Sequence, residues 1–350
     1  MAEKNYFSWL SEDTVSNWTN DSAVWEQIEH ALSIGAVGCT TNPPLSYEAL
    51  TTDTALYQED LGKISRDLPD DEFALQAMGL VVKRISARLM ELHEQKGTFY
   101  GAVRAQVQPN MRDDARGMLE KGKFMSGWGK NVMVKIPATE AGIWTLEELA
   151  ALGIPTNPTV VTTVAQAIAA AEAFERGVER ARQAGITPAW STCAFVMGRT
   201  QDFFSSLNQE RGLGLSDEDL AWASLALVKR TNESFKARGF ASILQPAAFR
   251  SAIQVEQIAG GVFCSTIHPK IQKAVQEAEA SGKIRRALLV DEPVDQQALD
   301  RVAKALPEFE QAYDPQGLTP AEFGTYGASK MTLDGFEVTG WQKLVSLKYA

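Results

Sequence analysis

The chain has 350 residues, 45% of them hydrophobic and 22% charged, which is the composition of a soluble globular protein with a large core. Thirty-four Lys and Arg stand against 44 Asp and Glu, a formal charge of −10, which argues against nucleic acid or an anionic membrane as a main partner. Three scattered cysteines (Cys39, Cys193, Cys264) and three distant histidines (His30, His93, His268) leave little for a disulfide scaffold, a zinc cluster or a His-centred triad. The N-terminal stretch has no long apolar region of a signal peptide and no segment is apolar enough to span a membrane, so cytoplasm is the expected compartment.

Short apolar runs alternate with longer helical patterns along the whole chain. Strands are expected near residues 6–10, 36–40, 99–107, 132–136, 154–157, 189–196, 241–244 and 262–266. Helices are expected near 23–32, 71–94, 113–125, 140–149, 164–184, 217–238, 255–258 and 270–280. Eight such repeats predict an α/β fold with a parallel sheet, closed as a (β/α)₈ TIM barrel over residues 1–290; an open doubly wound sheet is the alternative. Two further helical patterns, near 295–305 and 333–347, predict a C-terminal helical extension over 291–350 that packs on the barrel. No GxGxxG follows the first strand and no GxxxxGK[ST] occurs, so nicotinamide, flavin and ATP enzymes of the usual types are not expected.

The segment NVMVKIP at 131–137 puts Lys135 near the C-terminal end of an apolar strand, in phase with Met133. In a barrel, alternate side chains point inward and the C-terminal strand ends carry the active site. A buried ammonium is costly, so its pKa falls from about 10.4 and the nucleophilic amine is exposed. Schiff-base chemistry with a ketone or aldehyde needs such an amine. If the inward–outward phase is shifted by one residue, Lys135 instead snorkels to solvent.

GCTTNPPLS, VMVKIPATEAGIWTLEEL, GIPTNPTVVTTVAQA, CAFVMGR and AAFR follow one another from residue 38 to residue 250. This ordered set resembles the transaldolase and fructose-6-phosphate aldolase family, over about residues 6–285. The resemblance implies a metal-free class I enzyme with no cofactor, and Lys135 as the Schiff-base nucleophile. It also implies that Asn42 and Asn157 hydrogen-bond ketose hydroxyls, although both precede proline and are ordinary turn residues otherwise. Thr159 resembles the threonine that helps hold the catalytic water, and Phe195 the aromatic beside that water. Arg199 and Arg250 resemble the arginines that clamp the substrate phosphate, a task suited to the guanidinium fork.

The sequence departs from the family pattern in several places. The family aspartate that moves the proton at the end of the first strand aligns with Ser11, a poor base, with Glu12 or Asp13 as substitutes if the strand runs longer. Transaldolases carry glutamate in the third strand, where this chain has Gln106, as the free aldolases do; an amide can orient a water but cannot take its proton. Phe195 points instead toward transaldolases. Arg104, in phase with Gln106, could lower the Lys135 pKa by repulsion, pair with Glu12, Asp13 or a substrate anion, or face outward. An extra residue in FVMGR shifts Arg199 or Phe195 by one, and Cys193 reads as a packing residue rather than a nucleophile.

Three readings stay open at this level. The first is transfer of a dihydroxyacetone unit between a ketose phosphate and an aldose phosphate, favoured by chain length, the C-terminal extension and Phe195. The second is an aldolase that releases dihydroxyacetone or acts on another ketose derivative, with Gln106 as its mark. The third is a non-catalytic sugar-phosphate-binding barrel, motivated by Ser11. The expected partners are small-molecule sugar phosphates, with no nucleic acid and no membrane; a homo-oligomer is compatible with the sequence, which does not fix the state.

Overall fold

The computed structural model describes residues 4–350. Its eight strands are β1 (Asn17–Asn20), β2 (Gly38–Thr40), β3 (Ala102–Gln106), β4 (Val132–Pro137), β5 (Thr156–Thr159), β6 (Thr192–Phe195), β7 (Ile243–Pro246) and β8 (Cys264–Ile267). Six of them form one parallel sheet in the order β5-β4-β3-β2-β1-β8, and β6 pairs with β7 in parallel. Single parallel bridges, Thr156 with Ser191, Val161 with Phe195 and Leu244 with Phe263, join these two sheets on both sides. The result is an α/β fold built on parallel strands that are buried on both faces, as strands covered by crossover helices must be.

The first element differs from the sequence expectation. Residues 6–10 lie in the helix Tyr6–Asp13, capped by Asn5, whose side chain accepts from the Ser8 amide. Tyr6, Phe7 and Leu10, at i, i+1 and i+4, bury one helical face. The first strand comes later, at Asn17–Asn20, a mostly polar run that carries only one large apolar side chain, the fully buried Trp18. Thr19 and Asn20 are buried because neighbours satisfy them: Thr19 donates to the Ser265 carbonyl (3.3 Å) and Asn20 Oδ1 accepts from Gln272 (2.9 Å). The other strands fall where the apolar runs put them, with bounds shifted by a few residues. Helices Pro43–Thr52, Thr54–Lys63 and Met197–Arg211 were not expected. Their apolar spacing is weak, and only a thin stripe of each is buried.

The C-terminal residues form helices that pack on the strand-bearing part through specific contacts. Ser329 Oγ bonds Thr162 Oγ1 (2.9 Å) and accepts from Gln166 Nε2 (3.1 Å), the same glutamine that completes the Thr163 capping box of the helix Val164–Gln183. The buried Trp341 indole donates to Asp71 (2.6 Å). A π-helical turn at Glu337–Trp341, a feature frequent at functional sites, follows Phe336 at the end of the helix Gly327–Phe336.

Close helix–strand packing beside β4 rests on glycine. A Cβ on Gly142 would lie 1.7 Å from the Pro137 carbonyl oxygen, so the helix Glu140–Ala151 can approach the end of β4 only without one. We expect Gly142→Ala to push that helix off the strand and cost about 1–3 kcal/mol, the usual range for overpacking, read as a lowered Tm with a folded spectrum retained.

Candidate functional site

The C-terminal ends of the strands converge on one pocket. Lys135 in β4 is 4% exposed, and its Nζ donates to the Thr41 carbonyl at 3.2 Å. Lys135 is therefore turned inward rather than to solvent. The parallel ladders place Gln106 of β3 and Asn157 of β5 directly beside it, one on each side. An inner cavity of about 60 Å³ is lined by Lys135 and by groups from six other strand ends, including Asp21, Thr40, Thr159, Gln245 and Thr266. An outer cavity of about 470 Å³ shares Asp21, Asn42, Arg199 and Phe336 with it and adds Arg250, His268 and Lys270.

Burial pushes the Lys135 amine down to about 8; the Asp21 carboxylate opposes the shift and the Arg104 guanidinium reinforces it. Burial raises the Asp21 carboxyl in turn, against the pull of Lys135, His268, Arg199 and Arg250. A partly neutral amine thus faces a carboxyl whose own proton is held above the usual range. That pairing suits proton exchange between a nucleophile and its substrate.

The sequence-derived residues divide on this geometry. Lys135, Asn42, Thr159, Arg199 and Arg250 all line one or both cavities. Asn42 caps the helix Pro43–Thr52 by accepting from the Leu45 amide (2.9 Å), which fixes its side chain at the rim. Arg250 makes a fork to Asp202, with Nε to Oδ1 at 2.9 Å and Nη2 to Oδ2 at 2.5 Å, and Arg199 reaches the same carboxylate at 4.0 Å. Asp202 therefore holds the two guanidinium groups together. Gln106 and Asn157 are buried beside the lysine but do not line the inner cavity. Phe195 is also fully buried, yet the flanking Ala194 and Val196 line the cavity while Phe195 joins the hydrophobic core on the other face of β6. The aromatic ring at the pocket comes instead from Phe336 in the C-terminal segment, with the Arg199 guanidinium 5.9 Å from its centroid.

Ser11 stands apart from the pocket. It lies in the N-terminal helix, where its hydroxyl donates to the Gly35 carbonyl (2.9 Å) ahead of β2, at the N-terminal end of the sheet. Glu12 and Asp13 pair with Lys4 on the surface. With β1 at Asn17–Asn20, the residue that follows the first strand is Asp21, held by its amide to the Ile267 carbonyl of β8 (3.2 Å). The Ser11 alignment rested on the misplaced first strand. Asp21, Asp202, Gln245 and Phe336 were all missed from sequence. An "ND" pair one residue beyond the Trp18-Thr19 step was the only signal for Asp21.

Arg104 is inward and fully buried, and no carboxylate lies within 4 Å of it among the described residues. It donates to Thr192 Oγ1 (3.4 Å) and Cys264 Sγ (3.3 Å), so it bridges β3, β6 and β8 below the lysine. Cys193 is a buried core residue. Among the described residues no group of His, Cys, Asp or Glu is arranged to hold a metal ion, and no helix is long and apolar enough to cross a membrane.

Backbone strain marks the site. Val160, next to Thr159, and Ala248, two residues before Arg250, have φ of 55° and 60°, a left-handed conformation that is costly for any residue with a Cβ and most of all for a β-branched one. Ala248 also accepts from Arg250 Nη1 at 2.8 Å.

The Lys135 shift also sets a stability profile. Between about pH 8 and the ordinary value of 10.5, the unfolded chain holds the lysine proton that the native chain has released, so stability from this group rises with pH across that window. Below pH 8 the full cost of the buried ammonium is present. Lys135→Met should therefore raise Tm at pH 7, by an amount that shrinks toward pH 10.5, as thermal scans across that range would read.

A family model described as Transaldolase/Fructose-6-phosphate aldolase matches residues 19–315, beginning inside β1 just ahead of Asp21. A curated protein named "Transaldolase" from Neisseria gonorrhoeae is 29% identical over 232 residues, covering 64% of this chain and 64% of its own length. "Transaldolase 1" from Streptomyces coelicolor is 25% identical over 345 residues, covering 89% of this chain and 90% of its own. "Transaldolase" from Helicobacter pylori is 34% identical over 130 residues, 36% of this chain and 40% of its own. With the matched region spanning every strand from β1 to β8 and the buried lysine among them, the chain belongs to the transaldolase/fructose-6-phosphate aldolase family.

Proposed function

We propose that the chain transfers a dihydroxyacetone unit from a ketose phosphate to an aldose phosphate through a Schiff base on Lys135. The observation that carries this reading is the buried amine, pushed down to about 8, facing the Asp21 carboxyl across a small cavity. We also read the eight strands as a closed (β/α)₈ barrel over residues 1–290, which the bridges of β5 with β6 and of β7 with β8 support. Residues 291–350 are then a C-terminal extension whose Phe336 completes the pocket wall.

In this mechanism the neutral amine of Lys135 adds to the C2 carbonyl of the ketose, and loss of water gives the iminium. Asp21 takes the proton of the C4 hydroxyl as the C3–C4 bond breaks, and the bonding pair moves into the iminium to give an enamine. The aldose phosphate leaves. The enamine then attacks the carbonyl of an acceptor aldose phosphate, Asp21 returns the proton to the new hydroxyl, and water releases the ketose product. Thr159 and Gln106 stand on either side of the lysine strand, where a water for the first and last steps would be held. Arg199 and Arg250, fixed by Asp202, receive the phosphate.

Gln106 favours one second reading. With an amide where a carboxylate could activate water, release of free dihydroxyacetone is the alternative outcome. Asp21, which follows the first strand and lines the inner cavity, speaks against the non-catalytic barrel that Ser11 motivated.

Intact mass after incubation with fructose 6-phosphate and sodium borohydride tests the chemistry. We expect a stable adduct that Lys135→Ala abolishes, and an unmodified mass for the native chain would sink the Schiff-base reading. Adding an aldose phosphate acceptor then separates transfer from release. Arg250→Ala should raise KM for phosphorylated ketoses roughly 10- to 100-fold, the effect of removing a charge-assisted fork, while leaving unphosphorylated ketoses little changed.

A further inference from the structure

We propose that Gln245 is a specificity-determining residue whose free amide nitrogen donates a hydrogen bond to a hydroxyl of the ketose fragment carried on Lys135. The inference rests on the Schiff-base reading above and assigns a role to a side chain that none of the family motifs contains.

The argument starts from Asn157. Its amide nitrogen donates to the Thr192 backbone carbonyl, which can only accept, and this fixes which way the Asn157 amide is turned. The same nitrogen donates to Thr192 Oγ1 (2.9 Å) and to Gln245 Oε1 (2.8 Å). Gln245 must therefore present its oxygen to Asn157, and its nitrogen is left over. That nitrogen is buried and has no partner, although Gln245 is 0% exposed. An orphaned buried donor is costly and calls for an explanation.

The position of Gln245 supplies one. It is in β7, paired across the ladder with Ala194, and lines the inner cavity with Lys135, Asp21 and Thr159. Asn157 does not line that cavity, and its nitrogen is taken up by Thr192 and Gln245. In this chain the amide that faces the bound fragment is thus that of Gln245, held in place by Asn157 behind it. A ketose fragment carries hydroxyl oxygens on both carbons that flank the iminium, and either is an acceptor for a fixed N–H donor. A carbon without a hydroxyl would leave the donor orphaned, so the site discriminates for the hydroxylated fragment.

Borohydride trapping of dihydroxyacetone and of acetone, which lacks both hydroxyls, tests the proposal. In Gln245→Met, a change of similar volume, the trapping rate of dihydroxyacetone should fall about tenfold, as expected when a buried hydrogen bond is lost, while that of acetone changes by less than about threefold. Gln245→Leu, which also lacks the donor and adds no charge beside Lys135, should show the same selective loss, and it serves if the Met variant fails to fold. Equal losses for both ketones, or no loss for either, would overturn the role of Gln245 while leaving the Schiff base intact. A native chain that traps neither ketone would overturn the Schiff-base reading and this inference with it.

Discussion

A primary amine that is only 4% exposed cannot hold its proton as it would in water, and the whole strand-end pocket is arranged around that cost. Lys135 sits in a six-residue strand that is buried throughout, so its stem packs as an apolar side chain would and only Nζ reaches the cavity. The groups nearest that nitrogen do not cancel its burial. The Thr41 carbonyl accepts one hydrogen bond from it, Asp21 favours the charged form, and Arg104 disfavours it. The balance leaves the amine near neutrality, where it is both available as a nucleophile and able to take up a proton again.

The surrounding backbone converts that single side chain into a site. Parallel register brings Gln106, Lys135 and Asn157 into one row, so three neighbouring strands present polar groups at the same height. The left-handed Val160 and Ala248 lie one and two residues past the strand ends of β5 and β7, where the chain must turn sharply while keeping Thr159 and Gln245 in the cavity wall. Gly198 completes the same corner, since a Cβ there would meet the Ala248 carbonyl at 1.7 Å and crowd the Arg250 guanidinium. The two arginines are close because the backbone between their elements has no room to hold them apart, and Asp202 offsets part of their mutual repulsion.

How much of this was legible in the sequence depended on where the chemistry sat relative to apolar periodicity. Strands β2 to β8, apart from the Thr-Asn-Pro-Thr of β5, announce themselves as apolar runs, and Lys135, Arg199 and Arg250 each adjoin one. Asp21 escaped because its strand reads Asn-Trp-Thr-Asn, whose buried Thr19 hydroxyl and Asn20 amide oxygen are satisfied by partners more than two hundred residues away. The apolar run that did look like a strand, around Phe7 and Leu10, is a helix whose cap, Asn5, was visible but unweighted. Phe195 was misjudged for a different reason: with a period of two, one residue separates the cavity wall from the core, and Ala194 and Val196 hold the inward phase. Phe336 could not be read at all, because nothing local ties a C-terminal helix to a particular strand end.

The amide at position 106 follows from the same electrostatics. Gln106 lies across the ladder from Lys135 and two residues along the same face from Arg104. A carboxylate there would stand beside the amine as a second anion and raise its pKa, and it would draw the unpaired Arg104 into an ion pair. With glutamine in place, Asp21 is the only carboxylate lining the inner cavity, and the Arg104 charge, dispersed over Thr192, Cys264 and the Ala102 carbonyl, keeps pressing the lysine toward its neutral form. Arg104 and Gln106 are therefore one arrangement rather than two departures. A buried cation below the lysine and an amide beside it both favour the free amine, and they leave Asp21 as the one carboxylate that lines the inner cavity.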